Sequence, residues 1–241
     1  MVKGSLIQMA RYRRSRQLGL SLHPQWRWGG ARPNAGRKRA ADSGMRHGSR
    51  DHFGRPLPAH VTVRLREDTP SLRDTRLVSA LAETFAVGCV RPGFRLVHYS
   101  LQGNHAHLIV EAQDRHALGR GMMSLGARFA RAVNRVGERT GRVFADRYHV
   151  RMLSTPREVR NALRYVLLNA RRHARAAGTR VARVVRLDPA SSAHWFDGWK
   201  REAVIEPMSR VDRAPVARAR TWLLTTGWRR HGLLDPADVP G

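Results

Sequence analysis

The sequence predicts an α+β fold: one antiparallel sheet with helices, preceded by a basic arm and followed by a tryptophan-containing extension. Three observations carry this. HVTVRLR, FRLVHYSLQ, HAHLIVEA and RYHVRML are short, rich in β-branched and aromatic residues, and largely alternating, as half-buried strands are. Between them lie segments whose apolar residues recur every three or four positions, the helical period. The resulting order, β-α-β-β-α-β, is that of a split β-α-β sheet with its helices on one face.

Residues 1–58 stand apart from this pattern. GGARPNAGRKRAADSGMRHGSRDHFGRPLP is rich in Gly, Pro, Ser and Arg, and residues 1–59 hold 13 Lys/Arg against two acids, Asp42 and Asp51. Such a stretch buries too little apolar surface to offset its ordering entropy. It reads as a flexible basic arm, with Arg37, Lys38 and Arg39 as candidate phosphate contacts.

The first strand opens at His60, and Ser71 is positioned to cap a helix running to about Val87 along Leu72, Leu77, Leu81 and Phe85. Gly88 and Pro92-Gly93 end that region. Gly103-Asn104 joins the next two strands as a tight hairpin, so His105 opens the second of them. Asp114 can cap a helix to about Glu138 with the stripe Leu118, Met122, Leu125, Phe129 and Val133. Residues 147–153 alternate again. Thr155-Pro156 then starts a helix with Glu158 near its positive end and Arg171, Arg172 and His173 near the other. Its packing side is Val159, Leu163, Val166, Leu167 and Ala170. The expectation is a ferredoxin-like domain over 59–175, with 176–241 as a C-terminal extension. The tryptophans of that extension, Trp195, Trp199, Trp222 and Trp228, suit packing on the main body, or stacking on unpaired bases.

Charge narrows the partner. The formal net charge is +27, and 42 of the 45 basic residues are arginine, whose planar fork donates paired hydrogen bonds to phosphate. Strong, salt-sensitive attraction to nucleic acid follows. No run approaches the length of a membrane span, no amphipathic anchor stands out, and the first residues carry no signal-peptide core. The lone Cys89 excludes an intrachain disulfide and a cysteine-cluster zinc site, and a cytoplasmic location is the expectation.

The chemistry-bearing residues fall in two places. His105 and His107 stand two apart on a strand, so both imidazoles project from one sheet face. Such a pair suits a divalent metal, and it also suits an ordinary polar face. On the last helix Tyr165 and Asn169 stand four apart and share a side. Two imidazoles and a carboxamide oxygen make a three-ligand open site for Mg²⁺ or Mn²⁺, and such a metal orients a phosphodiester for in-line attack. A phenol becomes a useful nucleophile only with that kind of help.

His105-Ala106-His107 within NHAHLIVE resembles the His-hydrophobic-His motif of the HUH nucleases. GRVFADRYHVRML followed by PREVRNALRYVLLNARRH resembles the strand-then-tyrosine-helix block of the single-tyrosine transposases, especially the REP-associated branch. The similarity covers about 60–175. It implies a ferredoxin-like catalytic domain acting on single-stranded DNA, often beside a hairpin, through a 5′-phosphotyrosine, in a homodimer. It further implies that His105 and His107 bind the metal, Tyr165 is the nucleophile and Asn169 is the third ligand. Glutamine is common at that last position in the family, and asparagine is one methylene shorter. Arg164, Arg171 and Arg172 flank the tyrosine and are candidate DNA contacts.

Two other readings share these residues. A replication initiator or relaxase would carry the histidine pair, but helicase and extra-tyrosine features are missing from the sequence. A non-catalytic DNA-binding protein would use the same surface without cleavage, and intact Tyr165, His105 and His107 favour the enzyme.

Overall fold

Strand β1 (Leu57–Arg64) lies in the middle of one antiparallel sheet with β4 (His105–Ala112) on one side and β5 (His149–Met152) on the other. Beyond β4 come β3 (Phe94–Leu101) and the two-residue β2 (Val90–Arg91), giving the order β2-β3-β4-β1-β5. Setting β2 aside, this is the split β-α-β order expected from the sequence. The computed structural model describes residues 53–176, 178, 187–200 and 213–240, all of one unit, Gly44–Gly241. Arg37, Lys38 and Arg39 lie outside the described residues. Leu57, on the arm side of the expected boundary, already opens β1, and Phe53 is buried in the core.

Helices α1 (Thr75–Gly88) and α2 (Arg115–Val136) cover one face of the sheet. Leu77, Leu81 and Phe85 of α1 meet Leu125, Phe129 and Val133 of α2 over Val61, Val63, Leu108 and Tyr99, all buried. Phe85 sets its ring edge against Tyr99 at 4.8 Å and lies 6.0 Å from Phe129. Gly121 is required there: a Cβ at that position would stand 2.1 Å from the ring of Phe94. The cap of α1 is Asp74 rather than Ser71. Its carboxylate accepts from the amides of Arg76 and Leu77, while Ser71 forms the turn before it, accepting the Asp74 amide. Asp114 caps α2 as expected.

Strand β3 carries a bulge between Leu96 and His98. The extra residue shifts the alternation, so Tyr99 and Leu101 join Phe94 and Leu96 under α1 and α2. His98 and Ser100 are turned to the opposite face, level with Ile109 and His107 of β4.

That opposite face is not left to solvent, a departure from the one-sided arrangement expected. Helix α3 (Pro156–Leu167) packs on it through Val159, Leu163, Val166 and Leu167. The C-terminal extension covers the remainder. Glu111 accepts hydrogen bonds from the amides of Arg220 and Thr221 and from the Thr221 hydroxyl. Trp228 is buried, donates to the Leu224 carbonyl at 3.0 Å and packs on Phe196. Trp199 packs on Phe196 as well, but Trp195 and Trp222 stay about half exposed. Packing therefore accounts for two of the four tryptophans.

The tyrosine helix is also not continuous to His173. It stops at Leu167, Leu168 takes φ −112° and ψ 15°, and α4 (Asn169–Ala176) begins anew.

Candidate active site

The site forms where β4 and β1 face α3. Alternation on β4 puts His105, His107, Ile109 and Glu111 on one side, and the antiparallel register sets Thr62 opposite His107 and His60 opposite Ile109. Helix α3 starts in a capping box: the Thr155 hydroxyl accepts from the Glu158 amide, and Glu158 accepts from the Thr155 amide. The Ser154 amide above all, then Arg151 and the Ser154 and Thr155 hydroxyls, hold the Glu158 carboxyl down to about 2. Pro156 fixes the first turn. Two and a half turns later the half-buried Tyr165 points back at the sheet, its ring 5.0 Å from that of His107 and 5.7 Å from that of His60.

Hydrogen-bond partners surround both imidazoles. His105 Nδ1 lies 2.9 Å from the Asn104 carboxamide oxygen, an acceptor, so Nδ1 carries the proton and Nε2 the lone pair. His107 Nδ1 lies 3.1 Å from Thr62 Oγ1 and 3.2 Å from His60 Nε2, and its own Nε2 faces the Tyr165 hydroxyl at 3.5 Å. With the Nδ1 proton directed at this pair, the Nε2 lone pair of His107 points into the same space as the tyrosine oxygen. The two histidine rings are 4.8 Å apart.

Burial keeps these rings neutral. It drives His107 down to about 3, with His60, His105, His173 and Arg172 adding repulsion. It drives His60 to about 4, helped by His149 and Arg151, and lowers His105, helped by His173 and Arg64. Neutral imidazoles with free Nε2 lone pairs are the ionisation state a metal requires.

Asn169 is wholly buried, and neither its carboxamide oxygen nor its nitrogen has a hydrogen-bond partner. An orphaned carboxamide is costly unless something satisfies it. Among the described residues no three His, Cys, Asp or Glu are grouped to hold a metal ion. A metal on His105 and His107 would need an uncharged oxygen as its third donor, and the unpartnered carboxamide of Asn169 is a donor of that type. This donor set fits a divalent cation and, with two imidazoles, suits Mn²⁺ better than Mg²⁺.

The three arginines expected to flank the tyrosine divide. Arg172 sets its guanidinium 5.4 Å from the centre of the Tyr165 ring. Arg164 pairs with Asp238 at 3.2 Å and donates to the Val239 carbonyl, and Arg171 donates to the Ala237 carbonyl. Arg164 holds the last described segment against α3, and Arg171 holds it against α4. A cleft of about 480 Å³ opens beside Tyr165, bordered by His60, Arg151, Glu158, Arg164 and Pro240.

The sequence offers His60, His98, His149 and His173 as histidines within range of the site, none with a diagnostic spacing, and does not single out Thr62; His60 and Thr62 both contact His107. The signal was present: alternation in HVTVRLR turns residues 60 and 62 away from Val61 and Val63, but only the β1–β4 register brings them to His107. His173 approaches His105 at 6.0 Å between ring centres. His98 does not reach the site; it is buried against Ser192 and Phe196.

No protein-family model and no curated protein matches the sequence. Among solved structures, the chain is similar to a REP-associated tyrosine transposase bound to a REP hairpin, at 16% identity and a TM-score of 0.43, over 54% of this chain and 74% of that one. It is also similar to a "putative transposase" of Deinococcus radiodurans R1, at 18% identity and a TM-score of 0.35, over 46% of this chain and 87% of that one. Likeness at this level transfers no residue role.

Proposed function

We propose that this protein is a metal-dependent single-stranded DNA endonuclease and transposase that cleaves and rejoins DNA through a 5′-phosphotyrosine. The observation that carries the reading is the Tyr165 hydroxyl 3.5 Å from Nε2 of His107, on a strand where His105 presents a second free imidazole nitrogen. In the forward step the Tyr165 oxygen attacks the scissile phosphorus, the bond from phosphorus to O3′ breaks, and the departing oxygen takes up a proton as a free 3′-hydroxyl. The phenolic proton passes to solvent as the new bond forms, solvent returns one to the departing O3′, and the energy of the broken diester is kept in the tyrosyl ester for rejoining.

His105, His107 and Asn169 would hold Mg²⁺ or Mn²⁺, which supplies charge for the phosphate and a fixed orientation for in-line displacement. Arg172, 5.4 Å from the centre of the phenol ring, would offset the negative charge on the attacking oxygen and the phosphate. A net charge of +27 supports a polyanionic substrate. Exchange of strands needs two tyrosines, so the working form in this reading is a homodimer acting on DNA in the cytoplasm, at sites flanked by hairpins. No helix among the described residues is long and apolar enough to cross a membrane.

The test is covalent capture. Purified protein is incubated with labelled single-stranded hairpins from the flanks of its own gene, with Mg²⁺, Mn²⁺ or EDTA. The expected result is a labelled band that survives denaturing electrophoresis, requires metal and disappears in Tyr165→Phe. Tight binding of the same hairpins without an adduct would instead establish a non-catalytic DNA-binding protein.

A further inference from the structure

The same sheet face carries a second polar concavity at the far end of β4. It has a volume of about 530 Å³ and is bordered by Arg95, Glu111, Gln113, Arg220 and Trp222. Glu111 shares its face of β4 with His107, four residues on, so the concavity lies roughly 13 Å along the strand at ~3.3 Å per residue. It is outside the cleft beside Tyr165, which shares none of its lining residues.

Three features mark it as built for a ligand. First, Trp222 opens the short helix α5 (Trp222–Thr225) with 47% of its surface exposed, unlike Trp228 at 1%. Nearly half of this side chain is thus left open on a wall of a polar concavity. Second, the indole is held in place. Its six-membered ring lies so close to Gly227 that a Cβ there would come within 2.7 Å of it, and the Arg230 guanidinium sits 4.8 Å from the ring centre. Glu111 fixes the preceding residues through the Arg220 and Thr221 amides. Third, the charge is right for a phosphate. Arg95 lines the space and meets no carboxylate among the described residues, Arg220 is exposed, and Arg230 stands over the indole. The single acid, Glu111, is buried and spends both oxygens on backbone amides and a hydroxyl.

We infer that this concavity binds one unpaired nucleotide of a single-stranded nucleic acid, the base stacked on Trp222 and a phosphate held by Arg95 and Arg220. The inference rests on the reading of the chain as a protein that handles single strands, and it names where that strand is gripped away from the tyrosine. Duplex DNA does not fit, because its bases are stacked on one another and offer no free face to the indole. Gln113, on the rim, presents both a donor and an acceptor to the edge of the base.

The test uses the full chain carrying Tyr165→Phe, in EDTA, so that binding is read without cleavage. Anisotropy of a labelled oligothymidylate is measured against salt for the parent, for Trp222→Ala, for Trp222→Phe and for Arg95→Ala. Trp222→Ala is expected to weaken single-strand binding about tenfold, with Trp222→Phe retaining most of it. Arg95→Ala is expected to reduce the salt slope by about 0.7, the contribution of one phosphate on a single strand. A duplex of the same length is expected to bind the parent and Trp222→Ala alike. Equal single-strand affinity of parent and Trp222→Ala overturns the site and leaves the tyrosine chemistry untouched. Equal losses for single strand and duplex, or a labelled polyglutamate that alone depends on Trp222, also overturn it. Failure of the parent to bind any single strand overturns the underlying reading too. Thermal melting of each variant separates these results from unfolding.

Discussion

Thr62 Oγ1 lies 3.1 Å from Nδ1 of His107, across the β1–β4 register that sets the two residues opposite each other. A metal on Nε2 requires the proton on Nδ1, and there the hydroxyl stands in range to accept it. Outer-shell partners of this kind are worth ten- to a hundredfold in metal affinity. Thr62→Val is therefore expected to lower Mn²⁺ affinity about tenfold, the lower end because His60 Nε2 also faces Nδ1. Thr62→Ser is expected to restore it. Calorimetric titration with Mn²⁺ checks both, and equal affinity in the valine variant would show that the hydroxyl does not orient the ring.

His98 makes stability acid-sensitive without involving the site. Burial pushes it to about 3, while the unfolded chain titrates near the ordinary 6.5. Between those values the unfolded state binds the extra proton. Stability from the neutral ring is thus complete above pH 6.5 and lost as pH falls toward 3. The single group accounts for about 2 kcal/mol between pH 6.5 and 5. His98→Leu is expected to flatten that part of a melting-temperature profile, at some cost at neutral pH from the bond to Ser192. An unchanged acid slope would place the proton-linked loss elsewhere, with His60 and His107 next in line.

Glu111 is the clasp between the sheet and the C-terminal extension. Its oxygens receive the Arg220 amide, the Thr221 amide and the Thr221 hydroxyl within 3.0 Å. Glutamine keeps one oxygen for the Thr221 amide and hydroxyl but sets an NH₂ group where the other oxygen receives the Arg220 amide. Glu111→Gln is expected to cost about 1–3 kcal/mol and to release residues 213–234 before the rest unfolds. Amide hydrogen exchange reads this directly: the amides of Arg220 and Thr221 lose protection while those of β4 keep it. Uniform loss across the domain would mean that the extension and the sheet unfold as one.

The parts of the site that were legible in the sequence are those set by local periodicity. Two residues of spacing on a strand placed His105 and His107 together, and Thr155-Pro156, with Glu158 near the positive end, located the helix that brings Tyr165. What was not legible depends on register and on distant segments. Thr62 meets His107 only because β1 and β4 pair with one offset among several. The bulge at Val97 turns His98 and Ser100 over, a change that a strictly alternating reading of FRLVHYSLQ assigns to the wrong faces. Arg164 and Arg171 look free along their helix, yet residues 237–239, some 70 positions on, take up their donors. The break at Leu168 was equally hidden, since RYVLLNARRH is helix-prone throughout, with neither Pro nor Gly to mark an end.

That break gives Asn169 its test. The residue opens α4 with no exposed surface, and both carboxamide atoms are buried without a partner. Retaining an unsatisfied group of this sort costs about 1–3 kcal/mol, and an apolar side chain of similar volume removes the cost. Asn169→Leu is therefore expected to melt higher than the parent in EDTA, by an amount corresponding to about 1–2 kcal/mol. In the proposed site the same change removes a metal ligand. Mn²⁺ stabilises a native state that binds it by mass action, so the parent gains melting temperature with added metal while Asn169→Leu gains little. The two variants are then expected to cross: leucine more stable without metal, asparagine with it. A leucine variant destabilised in EDTA would mean that the carboxamide is satisfied within the fold and is no ligand in waiting. A variant stabilised in EDTA that still gains fully from Mn²⁺ would place the third ligand on another residue.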